Sequence, residues 1–440
     1  MQEYITQFAN TFLKKAENKI QLIGHYDADG ITSTAIITKT LERLEKNFST
    51  KILKQLTEKE ILSLPKDTLL IFVDMGSGSI GILSKLKNEI FIIDHHEPNI
   101  TMAIPENLHI LNPHLTNDYQ EMCSAELSYL FARTINEENK ALAYLAVIGM
   151  IGDTMEKNIN KIRNQIIKEA DVGIKRGLLI YPSTRPLDKT LEFSSRPFIP
   201  GVTGNRNNVI ELLQEADIGK IGKHYKALID LTEHEMKSLT TAITLRFHQE
   251  AFRYIGDLYL IKFFNKIEDA RELAAIINAC SRMDAPEIAL LLCLGNNQAR
   301  KKAQRLYVQY RQHIISGLKF IEKNNFIKGG EYVIINAKNN IKDTIIGTLA
   351  SILSFSSVYR EGTIIITMAY TEDKIKISTR VTGKNTNRNL KELLDSITLS
   401  LGRGESGGHK YAAGCTISID DEQKFIDLIQ RKFEYEVVKV

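Results

Sequence analysis

Three apolar runs near the start of the chain, Ile20 to Gly24, Leu69 to Val73 and Ile90 to Ile93, are continuous rather than alternating. Strands covered on both faces have this character, because neither set of side chains meets water. Between the runs, Ile31 to Leu44 and Ile80 to Leu86 repeat apolar residues at helical spacing, so the pattern predicts a parallel α/β sheet. Ala141 to Ile151 is an apolar helical segment that ends at Gly152-Asp153. From about Asn160 to Asn325 helical patterns dominate. The exceptions are a strand pattern at Asp257 to Phe264 and a turn-rich stretch, Tyr181 to Gly204, that carries Pro182, Pro186, Pro197 and Pro200. The last element of this region, Asn297 to Lys323, sets Leu306, Tyr310, Ile314, Leu318 and Ile321 on one stripe. At ~1.5 Å per residue it would reach ~40 Å, enough to bridge two domains. After Gly329-Gly330, strands are expected at Tyr332 to Ile335, Thr363 to Ala369 and Lys374 to Thr379, and helices at Ile345 to Leu353 and Leu390 to Leu399. The chain thus divides into an α/β core (1–160), a mainly helical region ending in the connecting helix (161–325) and a smaller α/β domain (326–440).

Carboxylates and imidazoles gather where the apolar runs end. His25-Tyr26-Asp27-Ala28-Asp29-Gly30 follows the first, Asp74 the second, Asp94-His95-His96 the third, and Asp153 the apolar helix. The carboxyl ends of parallel strands lie together, so these groups are expected to converge. Such a set suits hard divalent cations, and two bound metals can hydrolyse a phosphodiester. Taken singly, Asp27 also fits a helix cap before a turn at Gly30, Asp74 fits the cap of the next helix, and His25 fits a structural residue. Asp94-His95-His96 is harder to explain as structure, since three titratable groups at the end of a buried strand are costly to leave unpaired. In an extended chain the two imidazoles point to opposite sides, so one could ligate metal while the other meets substrate. Asp153 would sit against the negative end of its helix, a position that a metal relieves.

Composition narrows the class. A chain of 440 residues with 43% apolar content can bury real cores. No apolar run approaches the ~20 residues of a membrane span, and Met1 to Ala16 lacks a signal-peptide core, so a cytoplasmic protein with no membrane partner is expected. Cys123, Cys280, Cys293 and Cys415 lack ligand spacing and read as reduced core residues. The net charge of +4 is small but unevenly placed. Between Ala299 and Lys328 eight basic residues (Arg300, Lys301, Lys302, Arg305, Arg311, Lys319, Lys323, Lys328) face one acid, Glu322. Tyr307, Tyr310, Phe320 and Phe326 are interleaved, a mixture that suits single-stranded nucleic acid, although solvated charge with core aromatics fits equally.

In the C-terminal domain, Gly402-Arg403-Gly404-Glu405-Ser406-Gly407-Gly408-His409 precedes Ala412-Ala413-Gly414. Small residues with a His and an Arg let backbone approach an anion closely, and a plain glycine-rich surface loop is the alternative. Arg380, just past the predicted strand Lys374 to Thr379, could supply a forked donor to a phosphate, and an exposed Arg without that task fits its position equally.

With these residues in order, the sequence resembles the DHH phosphoesterase superfamily, and within it the RecJ-like exonucleases. His25 to Gly30, Asp74, Asp94-His95-His96 and Gly152-Asp153 resemble its N-terminal motifs. Ser378-Thr379-Arg380, Gly407-Gly408-His409 and Ala412-Ala413-Gly414 resemble the DHH-associated domain. Ser194 to Gly204, with Arg196-Pro197 and Ile199-Pro200-Gly201, looks like archaeal RecJ-like members, including nucleases that bind the GINS replication complex. The resemblance implies a metal-dependent exonuclease that hydrolyses phosphodiester bonds at the end of single-stranded DNA or RNA by two-metal catalysis, in DNA replication or repair. It implies two Mn2+ ions, with Mg2+ as a substitute, and GINS or other replisome components as partners.

By the same resemblance, Asp27 would bind one metal, Asp29, His95 and Asp153 the other, and Asp74 would bridge both. His96 would lie near the reacting phosphate. His25 is a candidate ligand from its neighbours alone, because phosphatases of the superfamily place their first His at the position held here by Ile23. Arg380, Ser378, Gly407, Gly408 and His409 would hold substrate phosphate at an interdomain cleft. Separately, the basic helix makes Arg300, Arg305 and Arg311 candidates to guide the strand. Two alternatives stay open: a small-substrate phosphoesterase acting on dinucleotides, short RNA or nucleoside bisphosphates, and a non-catalytic replisome scaffold.

Overall fold

The continuous apolar runs become the centre of a five-stranded parallel sheet. In the computed structural model it consists of β1 (Ile20–His25), β2 (Phe48–Leu53), β3 (Leu69–Val73), β4 (Ile90–Ile93) and β5 (Leu108–Leu111), in the order β2-β1-β3-β4-β5. The structure describes all residues except 17–18, 101–102, 195–196, 247–253, 357, 384–387, 403 and 438–440. Arg196 and Arg403 therefore lie outside the described residues.

Every residue of β3 and β4 is buried, as continuous apolar runs require. On one face Leu70, Phe72, Ile90 and Ile92 pack with Leu53, Ile61, Ile80 and Leu83. On the other, Phe91 meets Phe8 and Phe12 of helix α1 (Gln2–Lys15) edge-on at 5.4 and 5.3 Å, and the same two rings meet Phe131 at 5.3 and 5.4 Å. Each such pair contributes about 0.5–1.5 kcal/mol beyond area burial. The helix Ser124–Ile135, which carries Phe131, is thereby fixed against the sheet.

Strand order places the functional loops. The order 2-1-3-4-5 reverses direction between β1 and β3, and ligand crevices form at the carboxyl ends beside such a reversal. Register does the rest. Gly24 pairs with Val73 and Val73 with Ile93, so His25, Asp74 and Asp94 follow at one level across three adjacent strands. Helix α2 (Ala28–Arg43) starts from the first loop and packs on Ser124–Ile135 and Ala143–Gly152, the latter ending at Asp153.

The chain forms two compact units, Met1–Lys175 with Leu258–Val308, and Arg176–Asp257 with Gln309–Val440. The expected middle strand is Ile255–Phe263, and it pairs antiparallel with Lys266–Asp269. Otherwise the middle of the chain is mainly helical, as its periodicity predicts, with helices that include Leu187–Glu192, Arg206–Glu215, Glu233–Thr244, Ala270–Arg282 and Pro286–Cys293. The connecting helix runs unbroken over Asn297–Lys323. In the second unit a six-stranded sheet runs Ile327–Lys328, Tyr332–Asn336, Ile364–Thr371, Lys374–Val381, Ala412–Ser418, Glu405–His409 across its width. Its core gathers Ile334, Ile366, Met368, Ile377, Leu394, Ile397, Phe425 and Ile429. The glycine-rich stretch from Glu405 is an edge strand rather than a loop, because hairpin pairing needs only backbone groups and tolerates glycine.

One buried ion pair ties the first unit together near the site. Arg163, fully buried, donates from Nε to Glu126 Oε1 at 3.0 Å, from Nη1 to the Asn158 carbonyl at 2.6 Å and from Nη2 to the Glu121 carbonyl at 2.7 Å. Glu126 in turn accepts the Cys123 N–H at 2.8 Å, closing the N-terminus of Ser124–Ile135. Breaking a buried pair leaves an uncompensated charge, so Arg163→Met is expected to lower stability by about 3–5 kcal/mol in urea unfolding. A loss below about 1 kcal/mol would show that the pair is not a stabilising anchor.

Candidate active site

The loop after β1 turns at once into α2, and its side chains face the end of the sheet. Asp27 caps the helix, accepting the Gly30 N–H at 3.0 Å, and its other oxygen lies 3.1 Å from His25 Nδ1. The same nitrogen is 3.1 Å from Asp74 Oδ2. Gly30 is required by close approach rather than by its backbone angles: a Cβ there would lie 2.4 Å from the His25 carbonyl oxygen. Asp74 is not the helix cap that its position allows. It sits in the left-handed region (φ 59°), a strained conformation for a non-glycine residue, which turns its carboxylate toward His25, Ser124 and His95.

Asp94, His95 and His96 also depart from expectation. The chain is not extended there. Asp94 Oδ1 accepts both following backbone N–H groups, at 2.8 and 3.3 Å, and this local turn brings the two imidazoles to one side with ring centroids 4.5 Å apart. His95 Nε2 lies 3.5 Å from Asp74 Oδ1 and 3.3 Å from Asp153 Oδ2. His96 is held through Nδ1 by Asp94 at 2.8 Å and is 48% exposed at its side chain, against 17% for His95. Asn112, beyond β5, accepts no role in the sequence pattern, yet its amide donates to the His96 carbonyl at 2.8 Å and to Ser77 Oγ at 2.9 Å.

Asp29 is held from a distant element. Its oxygens accept the N–H groups of Ser124 and Ala125, each at 2.8 Å, and Ser124 Oγ donates to Asp74 Oδ1 at 3.0 Å. The positive end of Ser124–Ile135 thus faces the carboxylates. Gly149 completes the pocket, since a Cβ there would lie 2.6 Å from Thr32 Oγ1 and 2.9 Å from Asp29 Oδ1. Sequence reading did not single out Ser124 or Gly149. The Glu126 placed three residues after the Cys123 cap, before an apolar run, was the available signal for that helix start.

Three overlapping groups have ligand atoms within 4.8 Å of one another: His25, Asp27 and Asp74; Asp29, His95 and Asp153; and Asp74, His95 and His96. Their charges are uneven. Burial and the neighbouring carboxylates Asp27, Asp29 and Asp153 push Asp74 well above the ordinary carboxylate range, and burial with Asp29 and Asp27 does the same to Asp153. For Asp27 burial is outweighed by the charge and hydrogen bond of His25, which hold it well below that range. His25 is raised correspondingly, Asp27 overcoming the effect of burial. Burial lowers His95, whereas the bond to Asp94 raises His96 and holds Asp94 at about 2. Such a cluster of carboxylates and imidazoles fits divalent cations, which would replace the protons that repulsion now retains.

In the second unit, pairing sets the other candidates in rows. Arg380 pairs with Ala412 and Ala412 with His409; Ser378 pairs with Gly414 and Gly414 with Gly407. Residues in one row share a face, so Arg380 and His409 stand on the same side with only alanine between them. Gly408 is in the glycine-favoring region (φ 127°) against the Ala412 carbonyl. Arg380 Nε donates to Ser351 Oγ at 3.0 Å. On the connecting helix Arg300 pairs with Glu268 at 3.0 Å and lies over Phe264, Arg311 lies over Phe193, and Arg305 is exposed. Tyr307 and Tyr310 are buried, Tyr310 bonding Thr348 at 2.9 Å, so these aromatics serve the core rather than a stacking surface.

Comparison with known proteins agrees with this architecture. The model of the DHH family N-terminal domain matches residues 19–150, that of the DHH-CID domain 180–253 and that of the DHHA1 domain 329–434. An uncharacterised protein of Methanocaldococcus jannaschii is 28% identical over 424 residues, covering 92% of this chain and 91% of that one. The single-stranded-DNA-specific exonuclease RecJ of Bacillus subtilis is 28% identical over 150 residues, 31% of this chain and 19% of that one. Manganese-bound RecJ from Thermus thermophilus superposes with a TM-score of 0.62 at 19% identity, over 98% of this chain and 54% of that chain. CDC45 from Entamoeba histolytica superposes with a TM-score of 0.70 at 12% identity, over 98% and 99%. The chain belongs to the DHH superfamily and is RecJ-like. It is a phosphoesterase of that superfamily.

The electrostatics predict a sign. A carboxylate raised in the fold stabilises the metal-free protein below its unfolded value of about 3.9, and that contribution is lost as pH rises through the folded value. Asp74 and Asp153 are both of this kind. Mn2+ should therefore raise Tm more at pH 8 than at pH 6 in scanning calorimetry. A shift that shrinks with rising pH would contradict the proton displacement.

Proposed function

We propose that the chain is a metal-dependent exonuclease that removes terminal nucleotides from single-stranded DNA or RNA in DNA replication or repair, using two divalent ions of which Mn2+ is the first candidate. The observation that carries this is the pair of ligand groups, His25-Asp27-Asp74 and Asp29-His95-Asp153, that meet at the carboxyl ends of β1, β3 and β4. Asp74 would be shared between the ions. The RecJ structures it resembles in fold are described in complex with Mn2+ and with Mg2+. Bound ions would act as Lewis acids toward a phosphodiester.

The chain's own residues would do the rest. The helix end at Ser124 and Ala125 keeps Asp29 oriented, and Ser124 Oγ keeps Asp74 turned inward. With Nδ1 committed to Asp94, His96 has Nε2 to offer a leaving oxygen, and its raised pKa favours the proton-carrying form. Arg380 and Ser378, in the rows that include His409 and Gly407, would bind substrate phosphate, with Gly408 allowing close backbone approach. Exposed Lys301, Lys302 and Arg305 on the connecting helix would neutralise further phosphates along a strand, with Arg300 and Arg311 nearer to protein partners. Association with replisome components such as GINS belongs to the same proposal; CDC45 shares the fold. A non-catalytic scaffold would be expected to lack ligands, and His25, Asp27, Asp29, Asp74, His95 and Asp153 are all in place.

Digestion of 5′- and 3′-labelled single-stranded DNA and RNA with Mn2+ tests the proposal, with a length series separating a strand exonuclease from a dinucleotide phosphoesterase. Asp74→Ala should lower the rate by on the order of a thousandfold, about 4 kcal/mol of transition-state stabilisation. A purified variant with wild-type activity would exclude the shared-ligand assignment. Replacing Lys301, Lys302 and Arg305 by Gln should reduce the slope of log affinity against log salt by about 2 for single-stranded substrate. An unchanged slope removes this helix from the strand path.

A further inference from the structure

The amide between the two aspartates of the first loop belongs to Ala28, the first residue of α2. First-turn N–H groups have no partner within a helix, and here two are satisfied by side chains. Asp27 takes that of Gly30, while Ala28 N–H donates at 3.0 Å to the side-chain oxygen of Asn278, a residue 250 positions further along. Asn278 lies on Ala270–Arg282, a helix that packs on both α2 and Ala143–Gly152.

The same helix reaches the other carboxylate loop. Arg271, seven residues earlier and so on the same face, places Nη2 3.5 Å from Glu156 Oε1. Glu156 stands just beyond Asp153 in the chain, and both partners of this pair are largely buried. Between the two loops there is little slack: a Cβ on Gly152 would lie 2.7 Å from the Ala28 Cβ. One rigid element from the middle of the chain thus grips the loops of Asp27, Asp29 and Asp153.

We propose that Asn278 is a positioning residue of the metal site: its side-chain carbonyl fixes the Ala28 amide, and with it the spacing of the Asp27 and Asp29 carboxylates. It acts through the backbone and touches neither metal nor substrate. The inference rests on the metal-site reading above. Ligands held in place before the ion arrives lose less freedom on binding, so the residue acts on ion affinity rather than on chemistry at saturation.

The full chain would be titrated with Mn2+ by calorimetry as wild type, Asn278→Leu, Asn278→Ser and Asn278→Asp, and amide hydrogen exchange would be followed at Ala28 without metal. Leu lacks the acceptor and Ser is too short to reach, so both should raise the Mn2+ Kd about five- to tenfold, the worth of one hydrogen bond. Both should speed exchange at Ala28 and leave activity at saturating Mn2+ within about threefold. Asn278→Asp keeps the acceptor and should bind Mn2+ at least as tightly as wild type. Should Leu prevent folding, Ser carries the same comparison. A folded Leu or Ser variant with a Kd within twofold of wild type and unchanged exchange at Ala28 overturns the inference. Failure of the wild type to take up Mn2+ would instead sink the metal-site reading, and the exchange data would then decide alone whether Asn278 holds the loop.

Discussion

Bringing Asp27, Asp29, Asp74 and Asp153 together beneath buried strands is the constraint on which the first unit depends. An uncompensated buried charge costs several kcal/mol; Asp29 and Asp74 are fully buried, and the partly exposed Asp27 and Asp153 lie close to them. The fold meets that cost with fixed dipoles and shared protons. The N-terminus of Ser124–Ile135 faces Asp29 with two N–H groups, and the Glu126–Arg163 pair anchors that terminus in turn. Asp74 and Asp153 are pushed toward their protonated forms, while His25 compensates Asp27. What remains is a site whose crowded carboxylates favour a cation.

Much of this was legible in the sequence because it rests on local pattern. Continuous apolar runs named the three central strands, and a parallel sheet puts whatever follows such strands at one edge. Strands β2 and β5 were not legible. Phe48–Leu53 mixes serine, threonine and lysine with apolar residues because it lies at the sheet edge, and Leu108–Leu111, at the opposite edge, is broken by His109. The rotation of His95 and His96 to one side follows from side-chain bonds of Asp94, which an assumption of extended backbone conceals.

The supports of the site were illegible for a different reason. Ser124 and Ala125 meet Asp29 across 95 and 96 residues, and Asn278 meets Ala28 across 250. Serine and asparagine on helices carry no periodic signature, and their meaning comes only from what the fold brings near. Gly149 is similar. Inside an apolar helix it resembles any small packing residue, yet its lack of a side chain is what leaves room for the Asp29 carboxylate.

On the proposed function, the second unit would supply recognition and the first chemistry. A carboxylate and imidazole cluster can serve any phosphoester, so it sets the reaction class without choosing the substrate. Choice must come from groups that read the rest of the molecule. Arg380 and His409 share a row of one sheet, and the backbone around Gly407 and Gly408 can approach an anion without side-chain obstruction. These features suit one terminal phosphate. Exposed charge on the connecting helix adds to this, since Lys301, Lys302 and Arg305 lie within one turn, about 6 Å of its axis. Cations so close together would strengthen binding of any phosphate chain, short or long, so the length of the substrate has to be read from other contacts.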